Sequence, residues 1–228
     1  MIPGPIYIHQ CPHCIKLISR YSLLSGNSNG VKVYSDGKTI KPMAPEFPII
    51  TKCTNCKNIF WIKDAKQIGS YELRLFGDSD EENTKKEWKE AESASKLSVY
   101  DLISVLGTEI TKTKDLEIYI RERIWWGFND RVRDNKILFT SEKDKMLYTE
   151  NIKNYIPLLD SNNINDLFTI AELYRNIGNF EKCKELLNEI KDDEVNWIKD
   201  YFLEKCELEG STIFEITKER LIRAGKKI

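Results

Sequence analysis

Two short stretches decide how the first part of this chain is expected to fold: CPHC at residues 11–14 and CTNC at residues 53–56. Each leaves two residues between its cysteines, a spacing that lets both sulfurs reach the same metal ion. Together they supply four thiolates, from Cys11, Cys14, Cys53 and Cys56. Four thiolates form the closed tetrahedral shell of structural zinc, so the sequence predicts bound Zn²⁺ with a structural role. Iron in a rubredoxin-like site is the alternative, because the same ligands accept both metals.

CPHC also invites a redox interpretation, because glutaredoxin-like proteins reach a C-x-x-C motif directly after a short first strand. Here IYI at residues 6–8 is a strand candidate that precedes the motif. In such proteins a helix begins at the motif and lowers the pKa of the first thiol. The corresponding helix in this chain would run into SGNSNG at residues 25–30. CTNC then stands where the redox fold needs paired strands, so the two motifs together favour metal binding.

His9 and His13 are the two histidines of the chain, and either is a candidate to replace one cysteine ligand. Four cysteines already complete a tetrahedron, so we expect both rings to be solvated bystanders. A closed shell also leaves no position for a metal-bound water, which argues against catalysis at the metal. Two histidines provide little material for a histidine-based metallohydrolase or a Ser-His-Asp triad.

The composition is that of a globular protein able to bury a sizeable core, with 228 residues, 41% of them hydrophobic and 31% charged. No apolar run approaches the ~20 residues of a membrane span, and the N-terminus lacks the pattern of a signal peptide. We therefore expect a cytoplasmic protein with no membrane partner. The net charge is −1, and residues 1–72 carry nine basic against four acidic residues. This excess is far weaker than the basic footprint of an obligate nucleic-acid binder.

The region between the two motifs is longer than the ~15–20 residues usual for such pairs. VKVYSDGKTIK at 31–41 predicts a β-hairpin that turns at Asp36-Gly37. PMAPEFP at 42–48 holds three prolines and is expected to run extended, and NIFWI at 58–62 predicts a strand. Residues 1–70 are therefore interpreted as a small, β-rich zinc ribbon with an inserted hairpin.

The rest of the chain reads as helical, so the predicted fold class is α+β. Residues 71–92, with GDSDEENTKKE at 77–87, form an acidic linker or the start of the first helix, and residues 93–228 form an α-helical domain. Three helix caps are predicted, at Ser98, Thr113 and Ser141. The helix after Thr113 carries an apolar residue at every fourth position: Leu116, Ile120, Ile124, Phe128 and Val132.

Shorter helices are expected near 163–177, 179–191 and 194–208, and the tail at 211–228 reads as a last helix or a short strand with a basic end. The stretch NDLFTIAELYRNIGNFEKCKELLNEI at 165–190 resembles a tetratricopeptide repeat.

Gly178 falls on the turn glycine of that repeat, Tyr174 and Phe180 on its aromatic positions, and Ala171 and Cys183 on its small positions. The resemblance implies a helical hairpin at 163–191 within a bundle or short solenoid, because one repeat cannot bury its own face. Cys183 is then a small packed hydrophobe. The stretch EIKDDEV departs from the repeat, because it lacks the usual closing proline.

The segment IRERIWWGFNDRVRDN at 120–135 suggests a candidate binding site. Trp125 or Trp126 could stack on a base or an aromatic ligand, and nearby guanidinium groups could hold phosphate. The arginines concerned are Arg121, Arg123, Arg131 and Arg133. The alternative, which we favour, is that the tryptophans pack against neighbouring elements and the arginines form ion pairs with acidic residues such as Glu122 and Asp130.

The order of features resembles a group of uncharacterised bacterial proteins that join a four-cysteine zinc ribbon to tetratricopeptide-like helices. The stretches that carry this resemblance are CPHC, LLSGNSNGVKVYSDGK, PMAPEFP, CTNCKNIFWI, WWGFNDRVR and AELYRNIGNFEKCKELL. They span most of the chain. The resemblance implies an architecture and a structural zinc ion, and it implies no activity.

Three functions are compatible with this sequence. The leading hypothesis is a non-enzymatic, zinc-binding adaptor whose helical part offers a groove to a protein or peptide partner. The first alternative is a nucleic-acid-associated protein in which lysines of the ribbon and its hairpin contact phosphate: Lys32, Lys38, Lys41, Lys52 and Lys57. The second alternative is a thiol oxidoreductase that uses Cys11 and Cys14.

Overall fold

The protein was analysed as a computed structural model that describes residues 1–72 and 85–217. Those residues form a mixed α+β fold of helices and several small sheets, which confirms the predicted class. The acidic stretch predicted at 77–87 lies outside the described residues as far as residue 84, and so does the predicted tail beyond residue 217. Among the residues described, none of the helices is both long and apolar enough to cross a membrane.

The strands of the described chain are short. They are β1 (Ile2–Pro3), β2 (Ile6–Gln10), β3 (Leu17–Arg20), β4 (Leu23–Ser25), β5 (Lys32–Tyr34), β6 (Thr39–Ile40), β7 (Ile50–Lys52), β8 (Ile59–Trp61), β9 (Lys66–Tyr71), β10 (Glu92–Ser93) and β11 (Glu215–Ile216). The helices are α1 (Lys86–Lys89), α2 (Val99–Ser104), α3 (Lys114–Arg133), α4 (Glu142–Tyr155), α5 (Ile164–Asn176), α6 (Phe180–Glu189) and α7 (Asn196–Glu207).

The chain divides into two compact units by its internal contacts. The knuckle unit comprises Met1–Val31 together with Lys41–Asp101, and the helical unit comprises Lys32–Ile40 together with the residues from Leu102 onwards. The hairpin between the cysteine motifs therefore belongs to the helical unit by its contacts, whereas the prediction places residues 1–70 together in the ribbon. The physical reason is the hairpin's bonding partners, which lie on helices far along the chain.

The knuckle unit contains three of the sheets. The largest has the strand order β10-β3-β2-β9, and the pairs β1-β4 and β7-β8 form two-stranded sheets. The predicted strands at 6–8 and 58–62 are confirmed as β2 and β8. β2 is the most buried strand of the largest sheet, since Ile6 and Ile8 expose at most 1% of their surface.

The Pro-rich stretch at 42–48 differs in part from the extended conformation that was predicted. The backbone N–H of Ala44 donates to the carbonyl of Lys41, which makes a turn at its start. The cause is Pro42, whose fixed φ suits the second position of a β-turn as well as it suits an extended segment.

The helical unit carries a three-stranded sheet with the order β11-β5-β6. β5 and β6 form the predicted hairpin, with Lys32 opposite Ile40 and with Gly37 at φ +76° in its turn. Glu215 and Ile216 of β11 pair with β5, so the tail begins with a short strand.

The predicted helix caps are confirmed. The hydroxyl of Ser98 accepts from the Asp101 backbone N–H, and the Asp101 carboxylate accepts from the Ser98 backbone N–H, which is a reciprocal capping box. Thr113 accepts from the N–H of Leu116 at the start of α3, and Ser141 accepts from Asp144 at the start of α4. Each helix therefore begins where a local side chain satisfies its first backbone donors.

The helices at 163–177, 179–191 and 194–208 are confirmed as α5, α6 and α7. Gly178 lies between α5 and α6 with φ +79°, a conformation that disfavours any side chain. The three helices share one apolar cluster, formed by Leu167, Ile170, Ala171, Cys183, Leu186, Leu187, Ile190, Phe202 and Cys206.

Candidate metal centre

Each C-x-x-C motif forms the loop of its own β-hairpin. The first knuckle, residues 11–16, connects β2 to β3, whose last pair is Gln10 opposite Leu17. The second knuckle, residues 53–58, connects β7 to β8, whose last pair is Lys52 opposite Ile59. Paired strands thus fix the start and the end of both loops, which sets the positions of the cysteines inside them.

The two knuckles have the same backbone geometry. The N–H of Cys11 donates to Lys16 and the N–H of Cys53 to Asn58, each at 2.9 Å. The residue after the second cysteine adopts a left-handed conformation in both loops, with φ 57° at Ile15 and 62° at Lys57. Such values are uncommon outside glycine, and a β-branched isoleucine adopts them with particular strain. The sequence gives no sign of this, because glycine stands at neither position.

The four cysteine sulfurs form one cluster, and all of them lie within 4.8 Å of one another. Across the knuckles, Cys11 Sγ lies 3.7 Å from Cys56 Sγ, and Cys14 Sγ lies 3.6 Å from Cys53 Sγ. A tetrahedron of sulfurs about 2.3 Å from a central zinc ion has edges of about 3.8 Å. The donor set and its spacing therefore fit a tetrahedral four-thiolate metal ion.

The cluster has a buried and a more accessible side. Cys11 and Cys53, the first cysteine of each knuckle, are buried, and Cys14 and Cys56 are half-buried. Burial raises the pKa of Cys11. The Asn55 side-chain amide donates to the sulfur of Cys14 and lowers the pKa of that thiol to about 6. A donor from the second knuckle thus stabilises a thiolate of the first.

The two histidines occupy different environments. His13 is exposed, and its ring meets the edge of Phe60 at a centroid distance of 6.4 Å. His9 exposes only 7% of its surface, so the expectation that both rings are solvated is wrong for this residue. The reason is its place in β2, which has neighbouring strands on both sides. Burial lowers the pKa of His9 and favours its neutral form.

The tryptophans predicted as a binding surface bond to groups within the helical unit. Trp125 is 1% exposed, and its indole N–H donates to the Asn176 side chain at 2.8 Å. The indole N–H of Trp126 donates to the backbone carbonyl of Asp36 at 2.9 Å. Arg123 stacks over the ring of Trp126 at 4.3 Å. These contacts match the packing interpretation, and ligand binding at this helix stays a prediction.

Three of the four candidate arginines, Arg121, Arg131 and Arg133, have acidic partners within the helical unit. Arg121 donates to Glu117 at 2.7 Å, one turn earlier in α3. Arg131 donates to the buried carboxylate of Asp144 at 2.6 Å.

Arg133 pairs with Asp130 at 2.8 Å and with Asp36 at the tip of the hairpin. Among the partners proposed from sequence, Asp130 is therefore confirmed, whereas Arg121 pairs with Glu117.

Sequence analysis missed a buried polar network that joins the hairpin to the helices of the helical unit. The hydroxyl of Ser35 donates to the Glu172 carboxylate at 2.6 Å, and Arg175 donates to the same carboxylate at 2.6 Å. Glu172 and Arg175 expose none of their surface. Arg175 also donates to the backbone carbonyls of Gly210 and Thr212. The sequence signal that could have revealed this network is the position of Glu172 and Arg175 among the apolar residues of α5.

Comparison with protein-family models, with curated proteins and with solved structures finds no match to this chain.

Proposed function

We propose that this protein is a zinc-binding adaptor that mediates protein–protein interaction and is not itself an enzyme. The observation that carries the proposal is the cluster of four cysteine sulfurs, whose cross-knuckle separations of 3.6 and 3.7 Å fit the edges of a tetrahedral zinc site. In this proposal the knuckle unit is a zinc-ribbon-like platform. The helices α5 and α6 are a tetratricopeptide-like hairpin.

A structural role for the metal follows from the closed ligand set. Four protein thiolates leave no coordination position for water or substrate, which a catalytic zinc ion needs. A small β-rich unit is also the kind of structure that requires a metal for its stability.

An interaction role for the helical unit rests on the resemblance of α5 and α6 to a tetratricopeptide repeat. Repeats of that kind present concave surfaces that bind extended segments of partner proteins. The resemblance is supported by the positive φ of Gly178 between the two helices and by the burial of Ala171 and Cys183. The partner class we propose is therefore a protein or peptide.

Metal analysis tests the first half of the proposal. The full chain, purified without added metal, should contain one zinc ion per chain, as measured by inductively coupled plasma mass spectrometry. Cys53→Ser should reduce the content strongly, and Cys183→Ala, outside the cluster, should leave it unchanged. Iron in place of zinc, or metal retained by the Cys53→Ser variant, would contradict the assignment.

Reconstitution tests the second half. A partner recovered with the tagged full chain should be purified and shown by calorimetry to bind it directly. Its affinity should change little when salt is raised about sixfold, from ~50 to ~300 mM. Failure of every purified partner to bind directly would contradict the adaptor role. The metal measurement is independent of this result.

Association with nucleic acid is the second candidate function. It is favoured by a pocket of about 300 Å³ in the knuckle unit whose lining includes Lys52, Lys57 and Lys96. Three of the five lysines proposed for phosphate contacts have carboxylate partners: Lys32 with Glu215, Lys38 with Asp130 and Lys52 with Asp101. These ion pairs reduce the positive charge that is available to phosphate.

Salt dependence separates this candidate from the adaptor. Fluorescence anisotropy with labelled single- and double-stranded oligonucleotides should show affinity that falls steeply as salt rises, because each phosphate contact releases counterions. Lys57→Gln and Lys96→Gln should each reduce that slope. Absence of binding at low salt would exclude nucleic acid as the ligand of this pocket.

The thiol oxidoreductase remains the third hypothesis. The lowered pKa of Cys14 is compatible with it. After CPHC, however, the chain continues into the strand β3, whereas the redox fold starts a helix at this motif. Reversible oxidation of Cys11 and Cys14 in metal-free protein that keeps its fold would support this hypothesis over the metal site.

A further inference from the structure

Two cysteines outside the metal cluster lie in direct contact. Cys183 on α6 and Cys206 on α7 are 23 positions apart, and their sulfurs are 3.1 Å apart. This separation is shorter than the 3.6 and 3.7 Å between sulfurs across the knuckles. A disulfide bond is about 2.05 Å long, so the two sulfurs need to approach by roughly 1 Å to form one.

The surroundings of the pair favour a bond between the two sulfurs over metal binding. In the described chain, no third potential metal ligand joins Cys183 and Cys206 in a cluster. Both side chains belong to the apolar cluster shared by α5, α6 and α7. A pair of thiols held together without a third ligand has oxidation as its available chemistry.

One of the two cysteines lines a pocket of about 260 Å³ that opens to solvent. Cys206 contributes to its lining, together with Gly178, Phe180 and Lys184. Cys206 itself exposes 1% of its surface, so only a small oxidant can approach its sulfur. Hydrogen peroxide occupies roughly the volume of two water molecules, about 60 Å³, and fits this pocket.

The environment also makes the two thiols unequal. The hydrogen bond with Cys183 lowers the pKa of Cys206, and the positive charge of Arg175 acts in the same direction. The hydrogen bond with Cys206, together with burial, raises the pKa of Cys183. Cys206 is therefore the better nucleophile, and Cys183 is placed to react second.

We propose that Cys183 and Cys206 are a redox modification site that forms a reversible disulfide, with hydrogen peroxide as the oxidant. The Cys206 thiolate attacks one peroxide oxygen, the O–O bond breaks, and hydroxide leaves with a proton as water. The resulting sulfenic acid is attacked by the Cys183 sulfur, the S–O bond breaks, and a second water leaves. Two thiols and one peroxide thus give one disulfide and two waters.

The consequence is a covalent connection between α6 and α7. It would close a loop of the chain and restrict its unfolded state, so the oxidised protein should unfold several degrees higher than the reduced protein. A dithiol reductant should reverse both the bond and the shift, by thiol–disulfide exchange.

Peptide mapping of the full-length, metal-loaded protein tests this proposal. After brief exposure to a small molar excess of hydrogen peroxide, free thiols are blocked with iodoacetamide and the protein is digested with trypsin without reduction. We expect a linked peptide that joins the segment containing Cys183 to the segment containing Cys206, and its loss on adding dithiothreitol. Recovery of both cysteines as alkylated thiols, or linkage of either to a knuckle cysteine, would overturn the proposal.

Two matched variants test the order of the steps. With Cys183→Ala the sulfenic acid on Cys206 should persist and react with dimedone, which labels sulfenic acids. With Cys206→Ala, Cys183 should remain unlabelled at the same dose. Equal labelling of the two variants would contradict the assignment of Cys206 as the first thiol to react. Circular dichroism before oxidation shows whether each variant has kept its fold.

Discussion

The knuckle unit and the helical unit are each stabilised internally in a different way. In the knuckle unit one buried cluster includes two of the metal-site cysteines, Cys11 and Cys53, beside Ile18 and Phe60. The helical unit has a larger apolar cluster and, in addition, fully buried charged groups. The first unit therefore depends on a ligand set concentrated in two loops, and the second on contacts between residues far apart in sequence.

Metal removal should have the largest effect, and it should act on the knuckle unit alone. Structural zinc contributes about 10–16 kcal/mol of apparent binding free energy in small zinc domains. In hydrogen exchange, the amides of Cys11 and Cys53, which close the two knuckles, should lose protection after strong chelation. The amides of Tyr34 and Ser35 should keep theirs, because their hairpin belongs to the helical unit.

Cys53→Ser should reproduce the effect of chelation without a chelator, and Cys183→Ala should not. If the hairpin at 32–40 lost protection together with the knuckles, the hairpin would belong energetically to the knuckle unit. If the knuckles kept their protection without metal, the metal would not be what stabilises that unit.

The buried ion pair of the helical unit should show the next largest effect. Arg175→Met leaves the Glu172 carboxylate buried without its cation, which should cost about 3–5 kcal/mol of the free energy of unfolding. Adding Glu172→Gln removes the uncompensated charge and keeps an oxygen to accept from Ser35. The double variant should therefore recover part of the loss, as measured by urea unfolding.

The recovery should be incomplete, since the carbonyls of Gly210 and Thr212 also lose their donor. A double variant less stable than Arg175→Met would mean that the charge of Glu172 is compensated by groups other than Arg175.

The tip of the hairpin provides a third and smaller test. Asp36 exposes 4% of its surface and accepts from Arg133 and from the Asn129 amide. Asp36→Asn removes the charge but keeps the shape, which should cost about 1.5–3 kcal/mol, the usual range for a hydrogen bond to a charged group. Hydrogen exchange of residues 32–40 should accelerate, while the metal content stays unchanged. An unchanged exchange rate would show that the Asp36 charge contributes nothing and that other contacts hold the hairpin, such as its pairing with β11 and the Ser35–Glu172 hydrogen bond.

The features that sequence predicted best are those that local chemistry determines. Ser98, Thr113 and Ser141 cap helices through donors three residues away, and Gly37 permits its turn by its own conformation. The clustering of the four cysteines followed from the spacing within each motif, because paired motifs of this kind rarely have another use. Such signals need no knowledge of distant parts of the chain.

The features that sequence missed depend on partners far along the chain. Asp36 appeared to be an ordinary turn residue, yet its partners lie more than ninety positions later, at Asn129 and Arg133. His9 gave no sign of burial, because that depends on the strands beside β2. Cys206 stood alone in the sequence, and only the packing of α6 against α7 brings it to Cys183.

The smallest expected effect compares the two knuckles with each other. Ile15 and Lys57 adopt nearly the same left-handed φ, but only isoleucine is branched at Cβ. A left-handed conformation costs about 1–2 kcal/mol for a residue with a side chain, and glycine loses about 0.5–1 kcal/mol through its freer unfolded state. Ile15→Gly should therefore stabilise the metal-loaded protein by about 0.5–1 kcal/mol. Ile15 is 74% exposed, so its removal loses little buried surface.

Lys57→Gly is the matched variant and should gain less, because the lysine side chain is unbranched and its ammonium donates to the Thr54 carbonyl at 2.6 Å. Urea unfolding of both variants, followed in the metal-loaded state, measures the difference. A gain at Lys57 equal to that at Ile15 would show that branching at Cβ adds no strain. A loss at Ile15 would show that its side chain stabilises the first knuckle by contacts that outweigh the backbone cost.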